Sequence, residues 1–201
     1  MNRRLAPSVN AGSMADIAFL LLIFFLVTTT IQSDSGINKK LPPPLNLERG
    51  TFIKKKNLFE VELNRYNQLM VEGELMELSD LKEKAIAFLD NGGGSGIDYC
   101  GYCKGDKDLT SSDNPDKAVI SLKSSRKTNY ATFIAVQNEL IGAYTFLRNR
   151  EAKRLFGKTY SDLEYDLKDV NYLGNQANLK KRIRKIRAMY PQKIVEAELL
   201  E

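Results

Sequence analysis

The sequence predicts a single N-terminal transmembrane α-helix followed by an α+β domain outside the cytoplasm. Three observations carry that reading. Residues 14–31 form an apolar run of eighteen whose one charge is Asp16. The rest of the chain is polar, and charged residues make up 27 % of all 201 positions. Within that polar remainder, short stretches of period two alternate with stretches of helical period.

The apolar run comes first. At roughly 1.5 Å per residue it covers about 27 Å as a helix, close to the hydrocarbon thickness of a bilayer. Arg3 and Arg4 precede it and no acid does. The positive-inside rule therefore leaves residues 1–12 as a cytoplasmic tail, makes 13–31 the span and places the large domain outside. The domain's lysines do not oppose this, because long domains translocate largely regardless of charge. A cleaved signal peptide shares the basic start and apolar middle. This run is long for one, and TTTIQSD (residues 28–34) offers no small-residue cleavage site, so a retained anchor is expected.

Asp16 needs its own account. An aspartate at the centre of a span costs about 2.5–3.5 kcal/mol. Eleven Leu, Ile, Phe and Val residues between positions 14 and 31 offset this at about 0.3–0.6 kcal/mol each. The span can insert with Asp16 in place. Two readings follow. Ser13 and Asp16 have capping-box spacing, and an acid in the first turn suits the helix dipole. Alternatively, Asp16 is an intramembrane group that faces partner helices and takes up a proton. Asp16, Ile23, Val27 and Thr30 share one helical face, with Ser13 at its edge. Spacing alone leaves both readings open.

The motif ADIAFLLLIFFLV (residues 15–27), close behind a short basic tail, resembles the single span of the ExbD/TolR family. The resemblance implies that Asp16 is the aspartate that binds and releases protons. It also implies two copies of the span within a ring of ExbB/TolQ-type polytopic subunits, with inward proton flow driving work on a TonB-like periplasmic energy transducer. Residues 37–42, INKKLP, resemble the motif that follows the span in that family, which assigns Ile37, Leu41 and Pro42 to partner contact. Their other reading is an ordinary linker. The transported proton is then the only small species involved, and no cofactor is expected. The protein is expected in the bacterial inner membrane as a homodimer, with residues 57–201 as its periplasmic domain.

That domain has about 145 residues, enough for one core. Residues 32–56 read as a semi-rigid linker around Pro42, Pro43 and Pro44. Phe59, Val61 and Leu63 alternate with Glu60 and Glu62, the pattern of a half-buried strand. A turn at 64–67 leads to a second strand at 69–71. Ser79 is placed to N-cap a helix whose stripe is Leu81, Ala85, Phe88 and Leu89. A third strand is expected at 118–122, then a long helix over 128–156 with Gly142 as a bend or close contact. A short helix at 161–168, a basic amphipathic helix around 180–187 and a closing strand at 194–199 complete the chain. The strand–turn–strand–helix opening resembles the start of the ExbD/TolR periplasmic domain. The expected fold is accordingly two-layered, a small mixed sheet with helices on one face.

Two stretches depart from the family pattern. Residues 91–117 are an insertion rich in Gly, Asp and Ser. It holds Cys100 and Cys103, the chain's two cysteines. A C-x-x-C pair invites a membrane-anchored thiol oxidoreductase, but that motif opens a helix, and none is signalled here. A local disulfide in a solvated loop is the expectation. Zinc lacks ligands, since the chain has no histidine, and the loop's acids lack calcium-loop spacing. The second departure is the length of the helical region after the third strand. Its basic run, six cations in residues 180–187, reads as a solvated helix face. The alternative is a patch for lipid headgroups or acidic cell-wall polymers, which would make the protein a passive cell-wall-binding anchor. No hydrolase triad or phosphate loop occurs. The net charge of +5 does not indicate nucleic acid in a domain carried across a membrane.

Overall fold

The computed structural model describes residues 11–29 and 53–199. Thr30, Ile37, Leu41 and Pro42, with most of the expected linker, lie outside the described residues. The chain divides into two units, residues 1–41 and 42–201. The described residues of the first form one helix, α1 (Ala11–Thr29). It begins two residues before the expected boundary.

The second unit follows the expected pattern and adds to it. Its strands are β1 (Leu58–Leu63), β2 (Leu69–Val71), β3 (Glu74–Leu75), β4 (Val119–Ser124) and β5 (Ile194–Glu198). Its helices are α2 (Leu78–Asp90), α3 (Tyr130–Phe156), α4 (Tyr160–Lys168) and α5 (Gln176–Met189). The sheet order is β3-β2-β1-β4-β5. β1 pairs antiparallel with β2 and parallel with β4, and β4 pairs parallel with β5, so the sheet is mixed.

Alternation decides which face the helices cover. Phe59, Val61 and Leu63 of β1 and Ile120 and Leu122 of β4 point to one side and are buried. They pack with Leu81, Ala85 and Leu89 of α2 and with Val136, Leu140, Tyr144 and Leu147 of α3 in one core. Phe59 and Phe88 stack at 5.0 Å. On the other side Lys123 donates to Glu60 and Glu62 at 3.0 and 3.1 Å. A register slip of one residue would exchange these two sets, so the pattern fixes the pairing.

Several local expectations need correction. Ser79 does not cap α2. Glu77 holds that position, and Ser79 lies in the first turn with its hydroxyl on Asp80. α3 starts at Tyr130, not at residue 128, because the Thr128 hydroxyl is taken by the carbonyls of Leu63 and Asn64 while Asn129 caps the helix. α3 crosses Gly142 unbroken, and a Cβ there would meet only the Lys82 side chain. α3 ends at Gly157, whose φ of 73° suits glycine. The expected linker also runs too far. Its last residues belong to the fold as a 3-10 turn, Lys55–Asn57, and Lys56 pairs with Asp113.

Beyond the sheet, α3 extends past its contacts with α2 and carries a second core. Ala152 of α3, Tyr160 and Leu163 of α4, and Leu179, Ile183 and Ile186 of α5 form it. A buried polar cluster joins this second core to the first. Arg150 donates to both oxygens of Asp90, at 2.5 and 2.8 Å, and the Tyr190 hydroxyl donates to Asp90 at 2.6 Å. Arg150 and Arg154 also flank the buried Glu151. Removing one member of a buried pair strands the other's charge. Arg150→Met is expected to lower stability by about 3 kcal/mol in denaturant unfolding of the full chain, whereas the exposed Lys153→Met changes it by less than about 0.5 kcal/mol.

Candidate functional site

The first candidate site is on α1. Over Ala11–Thr28 it is apolar and long enough to cross a membrane, and none of its residues is buried within the chain. The core helix of a soluble protein would be covered, and this one is not. Thr28 returns its hydroxyl to the Phe24 carbonyl at 2.9 Å, so that polar side chain is satisfied within the helix.

Asp16 stands out against this surface. α1 begins at Ala11, and its first turn holds no acid. Ser13 is therefore inside the helix, and the pair does not cap it. Asp16 lies in the second turn, about 7.5 Å along the axis from Ala11. Leu20, one turn on, shares its face with Ile23 and Val27. The i+4 spacing would have identified Leu20 from sequence. Asp16 makes no ion pair among the described residues. A lone carboxyl on an apolar helix can bind and release one proton, but it cannot line a pore without other helices.

The second candidate is the insertion. Cys100 and Cys103 are joined in a disulfide. They are 4 % and 8 % exposed, and the preceding 3-10 turn, Gly96–Asp98, is followed by no α-helix before β4. Neither sulfur is placed as an attacking thiolate at a helix N-terminus, so this geometry does not support dithiol exchange. The solvated-loop expectation is corrected as well, because the loop is pinned from within. The Asn91 amide donates to the carbonyls of Asp108 and Ser112, both at 2.8 Å, and its oxygen accepts from the Asp108 N–H. Gly93 and Gly94 donate to the carbonyls of Ser112 and Asp113. At both glycines a Cβ would run into a backbone carbonyl, of Asp108 and Asp98 respectively. Buried Asp113 accepts from Asn57 at 3.0 Å and pairs with Lys56 at 2.5 Å. Tyr102 then carries the loop to the far helices. Its hydroxyl donates to the Met189 carbonyl at 2.7 Å, and its ring meets Tyr190 edge-on. Burial pushes the Tyr102 hydroxyl up to about 12, so it remains a donor at neutral pH.

The third candidate is the sheet edge. β5 pairs only with β4 among the described residues. Beside it lies a depression of about 330 Å³, bounded by Ser124, Arg126, Phe133, Glu196 and Ala197. Gln137 donates to Glu196 within it. Among the described residues no group of three metal-ligating side chains occurs.

A family model described as Biopolymer transport protein ExbD/TolR matches residues 2–145, the span and the domain through the first half of α3. The chain belongs to the ExbD/TolR family. No curated protein matches the chain. Membership makes it a subunit that couples energy to biopolymer transport, in a family that works with ExbB/TolQ partners and is not one of enzymes. With α1 it is a single-pass inner-membrane protein. The match ends inside α3. The residues of the second core lie beyond the matched stretch.

The clasp on Asp113 gives the insertion a pH dependence. Burial raises its carboxyl, but the hydrogen bonds from Lys56 and Asn57 and the charges of Lys56 and Lys54 outweigh that and hold it below its ordinary value. A lowered carboxyl stabilises the fold above its unfolded value, about 3.9, and loses this as pH falls through its folded value. The protection factors of amides across residues 91–117, corrected for the intrinsic pH dependence of exchange, are expected to be high from pH 5 upward and to fall below about pH 4. In Asp113→Asn the loop is expected to exchange faster at pH 7 and to lose most of that dependence.

Proposed function

We propose that this protein is the proton-conducting subunit of an inner-membrane motor that uses the proton motive force to energise outer-membrane transport through a TonB-like transducer. The observation that carries the reading is Asp16, an ionisable group in the second turn of an otherwise apolar, uncovered span. In hydrocarbon its charged form is costly, and its neutral form much less so. Protonation from the outer side therefore lets it pass apolar surface of the surrounding subunits, and release toward the cytoplasm restores the charge. That alternation couples proton flow to movement.

The remaining parts take roles around it. Ser13, Leu20, Ile23, Val27 and Thr30 face ExbB/TolQ-like subunits with Asp16. Arg3 and Arg4 keep the N-terminus in the cytoplasm, which makes the domain periplasmic. Ile37, Leu41 and Pro42 contact partners near the membrane. The exposed edge of β5 supports pairing with a second copy or with a strand of the transducer. The transported ion is H⁺, and no cofactor takes part.

The test is Asp16→Asn in a cell that depends on the motor. The variant is expected to assemble with its polytopic partner in gentle detergent at wild-type stoichiometry and to lose energised transport by more than tenfold. Proton uptake by vesicles holding the purified complex is expected to fall in parallel. Transport at the wild-type rate would remove the proton-carrier role.

A further inference from the structure

The α4–α5 hairpin lies wholly outside the family match, and nothing above assigns it a role. Its charge is concentrated. Residues 158–189 hold eight cations and four acids, a net +4 in a chain whose total is +5. The acids are mostly engaged. Asp162 closes the capping box of α4, Glu164 pairs with Arg187, and Asp166 pairs with Lys158. Asp169, in the loop between the helices, accepts from the Asn171 N–H. On α5, Arg187 is thereby paired and Arg182 lies over the Phe156 ring at 5.2 Å. Lys180, Lys181, Arg184 and Lys185 are exposed and make no ion pair among the described residues.

These four cations do nothing for the fold. Lys180 with Arg184, and Lys181 with Lys185, are like-charge pairs at i,i+4, which weaken a helix. Two of them also stand near the positive end of the helix dipole. The inward stripe of α5, Leu179, Ile183 and Ile186, needs none of them. Beside them sits a second unexplained feature. The turn between α4 and α5 presents Val170 at 94 % and Leu173 at 102 % exposure, with Tyr165 at 73 % on the adjoining end of α4. Leu173 is three residues from the start of α5, and Lys180 and Lys181 follow within the next one and a half turns.

We infer that this hairpin docks the domain on the anionic phospholipid surface of the membrane that holds α1. The four cations meet headgroup phosphates, and Val170, Leu173 and Tyr165 enter the boundary with the acyl chains. Apolar prongs beside a cationic face fit a lipid interface. A hydrated acidic polymer would use the cations but give Val170 and Leu173 nothing apolar to enter. The chain length agrees. The 23 residues between Thr29 and Ile53 reach at most about 80 Å when extended, so any face of the domain can meet the bilayer. Because α1 and the domain are one chain, docking is intramolecular and weak contacts suffice. Each cation near the surface strengthens binding about fivefold, so losing four weakens it by two to three orders of magnitude.

The chain has no tryptophan, which gives a clean reporter. Full-length Leu173→Trp is placed in nanodiscs through α1, either of phosphatidylcholine alone or with 30 % phosphatidylglycerol. With phosphatidylglycerol, the emission is expected to shift to the blue and to be quenched at least twofold by acyl-chain-brominated lipid. In phosphatidylcholine alone, or in 0.5 M salt, quenching is expected to vanish. Adding Lys180→Ser, Lys181→Ser, Arg184→Ser and Lys185→Ser is expected to abolish it too. The milder pair Lys181→Gln and Lys185→Gln is expected to reduce it partway with the near-UV dichroism unchanged. Emission alike in both lipids, or quenching that ignores these substitutions, would overturn the docking. Sedimentation of the full chain with purified cell-wall sacculi, lost in the fourfold variant while lipid quenching is absent, would overturn it in favour of the wall. Asp16→Asn in the same nanodiscs is expected to leave the quenching unchanged, which separates this inference from the proton-carrier reading.

Discussion

The folded domain depends on one buried carboxylate. Asp90 ends α2, and its side chain is bound by Arg150 of α3 and by Tyr190 at the end of α5. Its main-chain carbonyl also accepts from the Gly105 N–H at 2.9 Å and so anchors the middle of the insertion. A charge inside a domain is tolerable only when its lone pairs are met, and here the carboxylate takes partners from two distant segments while the same residue's carbonyl takes one from a third. Burial, and then the bond to Asp90, raises the Tyr190 hydroxyl well above its ordinary value, so it stays protonated and keeps donating. The cluster does structural work, since it closes on itself and leaves no open coordination or reacting position.

That arrangement ties two distant segments to one place. Residues 91–117 and the α4–α5 hairpin are far apart in sequence, yet both rest on the same end of α3. Tyr102 of the insertion reaches the Met189 carbonyl and the ring of Tyr190. Arg148 donates to the Tyr190 carbonyl and lies over the rings of Tyr144 and Tyr160, one from each core. The insertion and the α4–α5 hairpin are thus joined to the sheet and its covering helices through aromatic and cationic side chains of α3.

Much of this was legible because periodicity is a local signal. The alternation at Phe59, Val61 and Leu63 and the stripes of α2, α3 and α5 name the core directly. The two-residue β3 was not legible, because Glu74 and Leu75 carry no alternation to read. Ser79 misled because its spacing to the apolar stripe fits a cap, while the chain enters the helix two residues earlier at Glu77. The insertion misled for a different reason. Gly, Asp and Asn are loop residues by composition, but here glycines admit carbonyls at close range and Asn91 and Asn57 bind backbone, which makes a rigid loop from solvated-looking residues. Asp90, Arg150 and Tyr190 are separated by up to a hundred positions. No spacing rule connects them, so only the fold brings them together.

Asp16 poses the inverse problem. Its meaning rests on the motif around it, since α1 provides no partner from within. The helix start at Ala11 removes the capping role that would have made the residue ordinary. What is left is a carboxyl that the hydrocarbon penalises and the chain does not compensate. Folding alone gives no reason to keep it, because a leucine there would insert more favourably and pack as well. Asp16 on α1 and Lys180, Lys181, Arg184 and Lys185 of α5 are alike in making no ion pair among the described residues. In a subunit that couples energy to transport, charges that the fold itself does not use are the places to look for coupling to the surroundings.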